Sequence, residues 1–198
     1  AFVARWPVGR TSKIAAAGAT VVLGAAALVA APVGAAPAQA LTPGVAFSAD
    51  SLPTWQTNGV VWSLAAAGDK VFAGGTFSQL RPPSGGSGSA IPVTGLVALD
   101  TTTGQPTSCR PQLSVGSGIT VRALATSPDG ATLYVGGLFG RVDSTYANKI
   151  AAVDVATCTV RSTFTAPSVS ATVRALAATP DVLYVGGDFR TVGGERRD

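Results

Sequence analysis

Histidine and methionine are both absent from this 198-residue chain, and charge is scarce, with Asp, Glu, Lys and Arg making up 12% of residues. Without histidine, Ser-His and Cys-His nucleophile pairs are excluded. There are two cysteines, and two thiolates with no imidazole cannot complete a zinc set. No alternating Asp/Asn run of the calcium-ligating kind occurs. No catalytic, cofactor-binding or metal-binding residue is therefore assigned, and no cofactor is expected. With no methionine at its start, the chain is expected to begin inside an open reading frame or at a non-standard start.

Little charge does not mean disorder, because 46% of the residues are hydrophobic and disordered chains are poor in aliphatics. Glycine, Ser/Thr and valine are abundant, a composition suited to short strands and turns. Part of the apolar bias lies in one segment. Arg10 and Lys13 precede a run without charge from Ile14 to Ala40, closing on Ala38-Gln39-Ala40. That pattern describes a secretory signal peptide over residues 1–40, cut between Ala40 and Leu41; a retained membrane anchor is the alternative, disfavoured by Pro32 and Pro37. Of the 14 basic residues the leader holds Arg5, Arg10 and Lys13, leaving 11 against 10 acidic ones. The remaining basic residues are scattered, which argues against a nucleic-acid partner.

One phrase recurs three times: "KVFAGGTFSQL" from Lys70, "LYVGGLFGRV" from Leu133 and "LYVGGDFRTV" from Leu183. Each is preceded by a "VxxLA" run, and Val61, Val121 and Val173 lie 60 and 52 residues apart. Near-even spacing of this length marks an array of supersecondary units. Each unit resolves into a "VRALA"-type strand, a turn such as Ser127-Pro128-Asp129-Gly130, a "TLYVGG"-type strand and a third strand ending at Asp100 or Asp154. Residues 159–164 read as a fourth, outer strand. Four antiparallel strands in fifty-odd residues make one propeller blade. The expected fold is thus all-β, a β-propeller truncated to about two and a half blades plus an N-terminal closing strand. Residues 41–59 form the extension, with the closing strand over residues 45–55. Blade 1 spans residues 60–118 with a loop insert at 78–93, blade 2 spans 119–171, and partial blade 3 spans 172–198.

The repeated glycine pairs are assigned to packing. Gly74 and Gly75, Gly136 and Gly137, and Gly186 and Gly187 sit where a side chain would hold neighbouring blades apart. Phe77, Phe139 and Phe189, two places on, would fill the gap between blades. A phosphate-cradling loop lacks the required strand-to-helix context and lysine.

The "LYVGGxF" phrase, the following "aaVD" and the phenylalanine before the next "VRALA" resemble the bacterial delta-sixty repeat, akin to kelch-type blades. Such propellers occur in secreted actinobacterial-type proteins, ahead of PKD or other immunoglobulin-like modules. The resemblance covers nearly all of residues 41–198 and implies an N-terminal fragment with further modules downstream. The tryptophan that kelch units place after the third-strand tyrosine has no match here.

Cys109 and Cys158, near the starts of outer strands in adjacent units, are expected to form a disulfide in an oxidising compartment; two buried thiols are the alternative. Asp100 and Asp154 read as turn formers. Arg122 and Arg174 share a polar slot in "VRALA", where the first unit has Trp62. They are candidates for an anion contact in the channel or for pairing with a carboxylate. Arg81 in the insert reads as part of a tolerated surface loop.

Two function classes follow. One is a non-catalytic, secreted or cell-surface module that binds or scaffolds an extracellular protein or glycan, touching membrane only through its transient leader. The other is an exported carbohydrate-active or lactonase-like enzyme whose catalytic residues lie in blades outside this sequence.

Overall fold

A computed structural model describes residues 2–7, 53–114 and 118–196. The described residues are all-β, and no helix among them is long and apolar enough to cross a membrane. In chain order the strands begin with β1 (Phe2–Pro7), β2 (Gln56–Thr57), β3 (Val60–Ala67), β4 (Lys70–Thr76), β5 (Gln79–Arg81) and β6 (Ile91–Pro92). They continue with β7 (Leu96–Asp100), β8 (Leu113–Ser114), β9 (Thr120–Thr126), β10 (Thr132–Leu138), β11 (Arg141–Val142) and β12 (Thr145–Tyr146). The last five are β13 (Ile150–Asp154), β14 (Val173–Ala178), β15 (Val182–Gly187), β16 (Thr191–Val192) and β17 (Glu195–Arg196).

Three antiparallel three-stranded sheets carry the repeat. Their orders are β3-β4-β7, β9-β10-β13 and β14-β15-β1. In each, the central strand is the "GG" phrase and its inner neighbour is the "VxxLA" run. Alternation along the central strand sends successive side chains to opposite faces. In β10, Leu133 and Val135 join the core shared with the first sheet, while Tyr134 joins the core shared with the third. The middle sheet is therefore buried on both faces. The inner strands β3, β9 and β14 follow one another as neighbours.

Each unit also carries a small satellite, built from strands too short to show a period in the sequence. The satellites are β2-β5-β6, β8-β11-β12, and the β16–β17 hairpin with a bridge from Val169 to Val192. Their hairpins follow the glycine–phenylalanine phrase, while β2, β8 and Val169 come from the chain just before the inner strand. In the second and third units the satellite hairpin turns over two residues, Asp143-Ser144 and Gly193-Gly194. Gly193 and Gly194 both take positive φ, 61° and 88°, a backbone that glycine adopts without strain. In the first unit residues 82–90 replace that turn. The insert expected over residues 78–93 is thus shorter, because its flanks are the paired strands β5 and β6, with Arg81 in β5.

Two further expectations change. The main sheets have three strands, and the expected outer strand at residues 159–164 shrinks to a bridge between Val153 and Val160. The amide of Arg161 reaches the Ala152 carbonyl, but that of Phe164 folds back onto the Arg161 carbonyl, turning the chain away from the edge. In the first unit the matching bridge falls on Pro106, which has no N–H to extend a ladder. The closing strand expected over residues 45–55 lies largely outside the described residues. Of its end, residues 53–55 form no strand, and pairing begins only at β2, with Gln56 opposite Arg81.

β1 is the other difference. Residues 1–40 read as a removable leader, yet Phe2–Pro7 pairs along the whole of β15, Phe2 opposite Gly187 and Pro7 opposite Val182. It occupies the edge that β7 and β13 fill in the other two sheets. That edge would otherwise present a row of unpaired backbone groups.

Five of the six paired glycines lie where a side chain would not fit, with a division of labour. A Cβ on Gly74 would lie 2.5 Å from Val121 Cγ1 of the second sheet, and one on Gly136 2.6 Å from Val173 Cγ1 of the third. The first glycine of the pair is thus a hole for the next sheet's valine. The second faces its own sheet: a Cβ on Gly75, Gly137 or Gly187 would strike the carbonyl oxygen of Val60, Thr120 or Thr172. Phe139 and Phe189 are fully buried in the cores between sheets one and two and between sheets two and three. Phe77 is buried with Leu80, Val93 and Val97 on the face of the first sheet turned away from the second.

Candidate functional site

Why the glycines must oppose the inner strand so closely is explained by a bulge repeated in every main sheet. The register skips Trp62 between Val61 and Ser63, Arg122 between Val121 and Ala123, and Arg174 between Val173 and Ala175. Each skipped residue is an extra one set against the glycine pair, and a bulge re-aims its side chain out of the ladder. The polar slot seen in the sequence is therefore a bulge position, and it gathers an indole and two guanidinium groups at one end of the hairpins.

The guanidinium carbon of Arg122 lies 3.9 Å from the Trp62 ring centroid, a cation–π contact that links the second sheet to the first. Trp62 Nε1 donates to Thr76 Oγ1 at 3.0 Å, and Thr76 Oγ1 shares a 2.6 Å hydrogen bond with Thr120 Oγ1. In the third sheet Arg174 Nε donates to Asp188 Oδ1 at 2.6 Å. That bond, with the adjacent positive charge of Arg174, holds the Asp188 carboxyl below its ordinary value and raises the Arg174 guanidinium above its own. Arg174 thus has a carboxylate partner. Arg122 Nε is buried without a hydrogen bond, and the Arg122 charge adds a smaller lowering influence on the Asp188 carboxyl.

At the opposite end of the hairpins a cleft of about 480 Å³ opens between the second and third sheets. The Ser127-Pro128-Asp129 turn and the Thr179-Pro180 turn form its lips, and Tyr134, Phe164 and Arg161 its floor and wall. The lips are stiff. Asp129 Oδ1 accepts from Ser127 Oγ and the Ala131 amide, and Ser127 Oγ accepts from the Thr132 amide. These bonds keep the Asp129 carboxyl below its ordinary value. Tyr134 and Phe164 pack tilted at 59° with ring centroids 5.6 Å apart, and burial raises the Tyr134 phenol. Arg161 is anchored by its Nη2 to Asp154 Oδ2 at 2.7 Å and to the Ala131 carbonyl at 3.1 Å. None of the three carries a site reading in the sequence, where Tyr134 reads as strand packing, Phe164 as the repeat phenylalanine ending the expected outer strand and Arg161 as one scattered cation.

Cys109 and Cys158 form a disulfide, with Cα atoms 5.3 Å apart. Asp100 Oδ1 accepts from the amides of Thr102 and Thr103 and from Thr103 Oγ1; Asp154 Oδ1 accepts from the amides of Ala156 and Thr157 and from Thr157 Oγ1. Both carboxyls are held low chiefly by the backbone bond to that threonine. They form turns, as expected. Glu195 lies in β17, in the third satellite.

Comparison of the chain with protein-family models, with curated proteins and with solved structures finds no match.

Proposed function

We propose that this chain is a non-catalytic binding or scaffolding module of the β-propeller type, exported from the cell and presenting loops to an extracellular glycan or protein. The repeated stacking supports the architecture: inner strand follows inner strand, and each sheet seats its valine in the previous sheet's glycine hole. This is the arrangement that successive blades adopt around an axis. The disulfide supports an oxidising compartment. The delta-sixty repeat is the family this reading favours.

The observation that carries the binding role is the cleft between the second and third sheets. Its volume falls in the range of ligand sites, and it combines an aromatic pair with a few convergent polar groups. Phe164, half-buried and backed by the buried Tyr134 ring, offers apolar ring surface to the C–H face of a pyranose, while Arg161 and the hydroxyls of Ser127 and Thr163 suit its hydroxyl groups.

The test is calorimetric titration of the chain with a panel of neutral oligosaccharides and peptides, repeated with Thr163→Trp. Thr163 is exposed at the cleft wall, so the larger ring blocks the cleft without entering the core. A ligand bound by the parent chain and lost, by at least about tenfold, in the variant supports the reading. Absence of binding across the panel, or equal binding by the two proteins, overturns it.

A further inference from the structure

β7 and β13 end in the same turn, built twice with one difference. In each copy an aspartate caps the amides that follow it, Asp100 those of Thr102 and Thr103, Asp154 those of Ala156 and Thr157. A later amide then donates back to the aspartate's carbonyl, Gly104 to Asp100 at 2.9 Å and Cys158 to Asp154 at 2.8 Å. That donor takes a left-handed backbone, with φ 67° at Gly104 and 60° at Cys158. Glycine does so without strain, whereas a cysteine there sets its Cβ close to the following carbonyl oxygen. The first turn holds itself; the second contains a residue that resists its own conformation. What holds Cys158 is its disulfide to Cys109, which is buried in the core between the first and second sheets.

The second turn also carries the wall of the cleft. Asp154 Oδ2 accepts from Arg161 Nη2 at 2.7 Å, and the same nitrogen donates to the Ala131 carbonyl, behind the Ser127–Asp129 lip, at 3.1 Å. Arg161 Nε is buried without a hydrogen bond, so the guanidinium is held in the wall through Nη2. Thr107, at the place of Arg161 in the first copy, has no such reach, and its hydroxyl donates to the Ala98 carbonyl.

We propose that Cys158 is a positioning residue of the cleft and that its disulfide is a redox latch on the cleft wall. Oxidised, the bond keeps Cys158 in the left-handed turn, and Asp154 keeps Arg161 in the wall. A dithiol opens the latch by thiol–disulfide exchange. Its first thiolate attacks one sulfur of the bridge and expels the other; its second attacks the mixed disulfide and expels the remaining cysteine. Each expelled thiolate takes up the proton that an attacking thiol gave up, so two cysteine thiols and one oxidised dithiol result. Cys158 then relaxes, the turn opens, and Arg161 loses its anchor. This control rests on the reading of the cleft as the binding site, while the latch itself is read without any ligand.

The test is native-state amide hydrogen exchange of the whole 198-residue chain, resolved by residue with NMR, with and without dithiothreitol. Reduction should speed exchange at residues 157 and 158 by about tenfold or more, the scale of the left-handed cost. Thr103 and Gly104 in the first turn should change by less than about threefold, because glycine needs no latch. The Nε–Hε signal of Arg161 should move towards that of free arginine. Cys109→Ser with Cys158→Gly removes the bridge but restores glycine at the left-handed position, and should keep the oxidised exchange pattern and Arg161 signal. Cys109→Ser with Cys158→Ser should instead match the reduced parent. The latch is overturned if reduction leaves residues 157 and 158 unchanged, or if both turns and β10 loosen alike. It is equally overturned if the glycine and serine variants behave the same. A working latch beside a cleft that binds nothing in the titration above would overturn the binding reading alone.

Discussion

Reducing the Cys109–Cys158 disulfide perturbs the chain while removing no atom from its core. The bond spans a sequence separation of 49 residues. It joins Cys109, buried 1% exposed in the core between the first two sheets, to Cys158, which leaves the Asp154 turn at φ 60°. In the chain-entropy treatment, opening a loop of that size releases unfolded-state freedom equivalent to about 4 kcal/mol at 25 °C. For a chain of this size each kcal/mol moves the transition by roughly 2–4 °C, so reduction should lower Tm by about 8–16 °C. The assay is urea unfolding, followed by far-UV circular dichroism, with and without a phosphine reductant. Because the stabilisation acts on the unfolded chain, the reduced protein should show both a lower midpoint and a steeper denaturant slope, as its unfolded state expands. Equal midpoints in the two redox states would refute the reasoning. So would a lower midpoint with an unchanged slope, which would place the effect in native packing.

Other outcomes follow from the same contacts. Gly136→Ala should destabilise by about 1–3 kcal/mol through overpacking against Val173, measured by denaturant midpoint. Phe139→Ala, which empties the core between the first and second sheets, should cost about 3–5 kcal/mol in the same measurement. The folded-state carboxyls of Asp100 and Asp154 lie below the ordinary value of 3.8. Their contribution is therefore present above that value and is lost as pH falls through the lower folded value, so a scan of Tm against pH should be flat at neutrality and drop below about pH 4. Asp100→Asn with Asp154→Asn should flatten that drop. Removing residues 1–40 strips β1 from β15, and amides along the β15 edge should then exchange with solvent faster than in the whole chain, as read by mass spectrometry.

What was readable in the sequence is what local chemistry dictates. The Ser127–Gly130 turn and the aspartate turns need only neighbours two or three residues away, and those neighbours are present. The glycine pairs were readable because three copies repeat them, and a repeat exposes a packing rule that a single copy hides. The bulges at Trp62, Arg122 and Arg174 were not, since a bulge is a property of two strands in register rather than of one. The satellites escaped because strands of two or three residues carry no period. The cleft escaped for a related reason: Tyr134, Phe164 and Arg161 come from separate segments and meet only when the second and third sheets stack. β1 lay inside a segment whose charge pattern spells a leader, and composition says nothing of an edge strand's later partner.

The stacking of successive sheets through glycine holes is tested most directly by nuclear Overhauser contacts in a methyl-labelled sample. The Val121 methyls should show strong contacts to the Gly74 Hα protons, and the Val173 methyls to those of Gly136. If those valine methyls instead showed contacts only within their own sheets, the stacked arrangement would be contradicted, and the cleft would go with it.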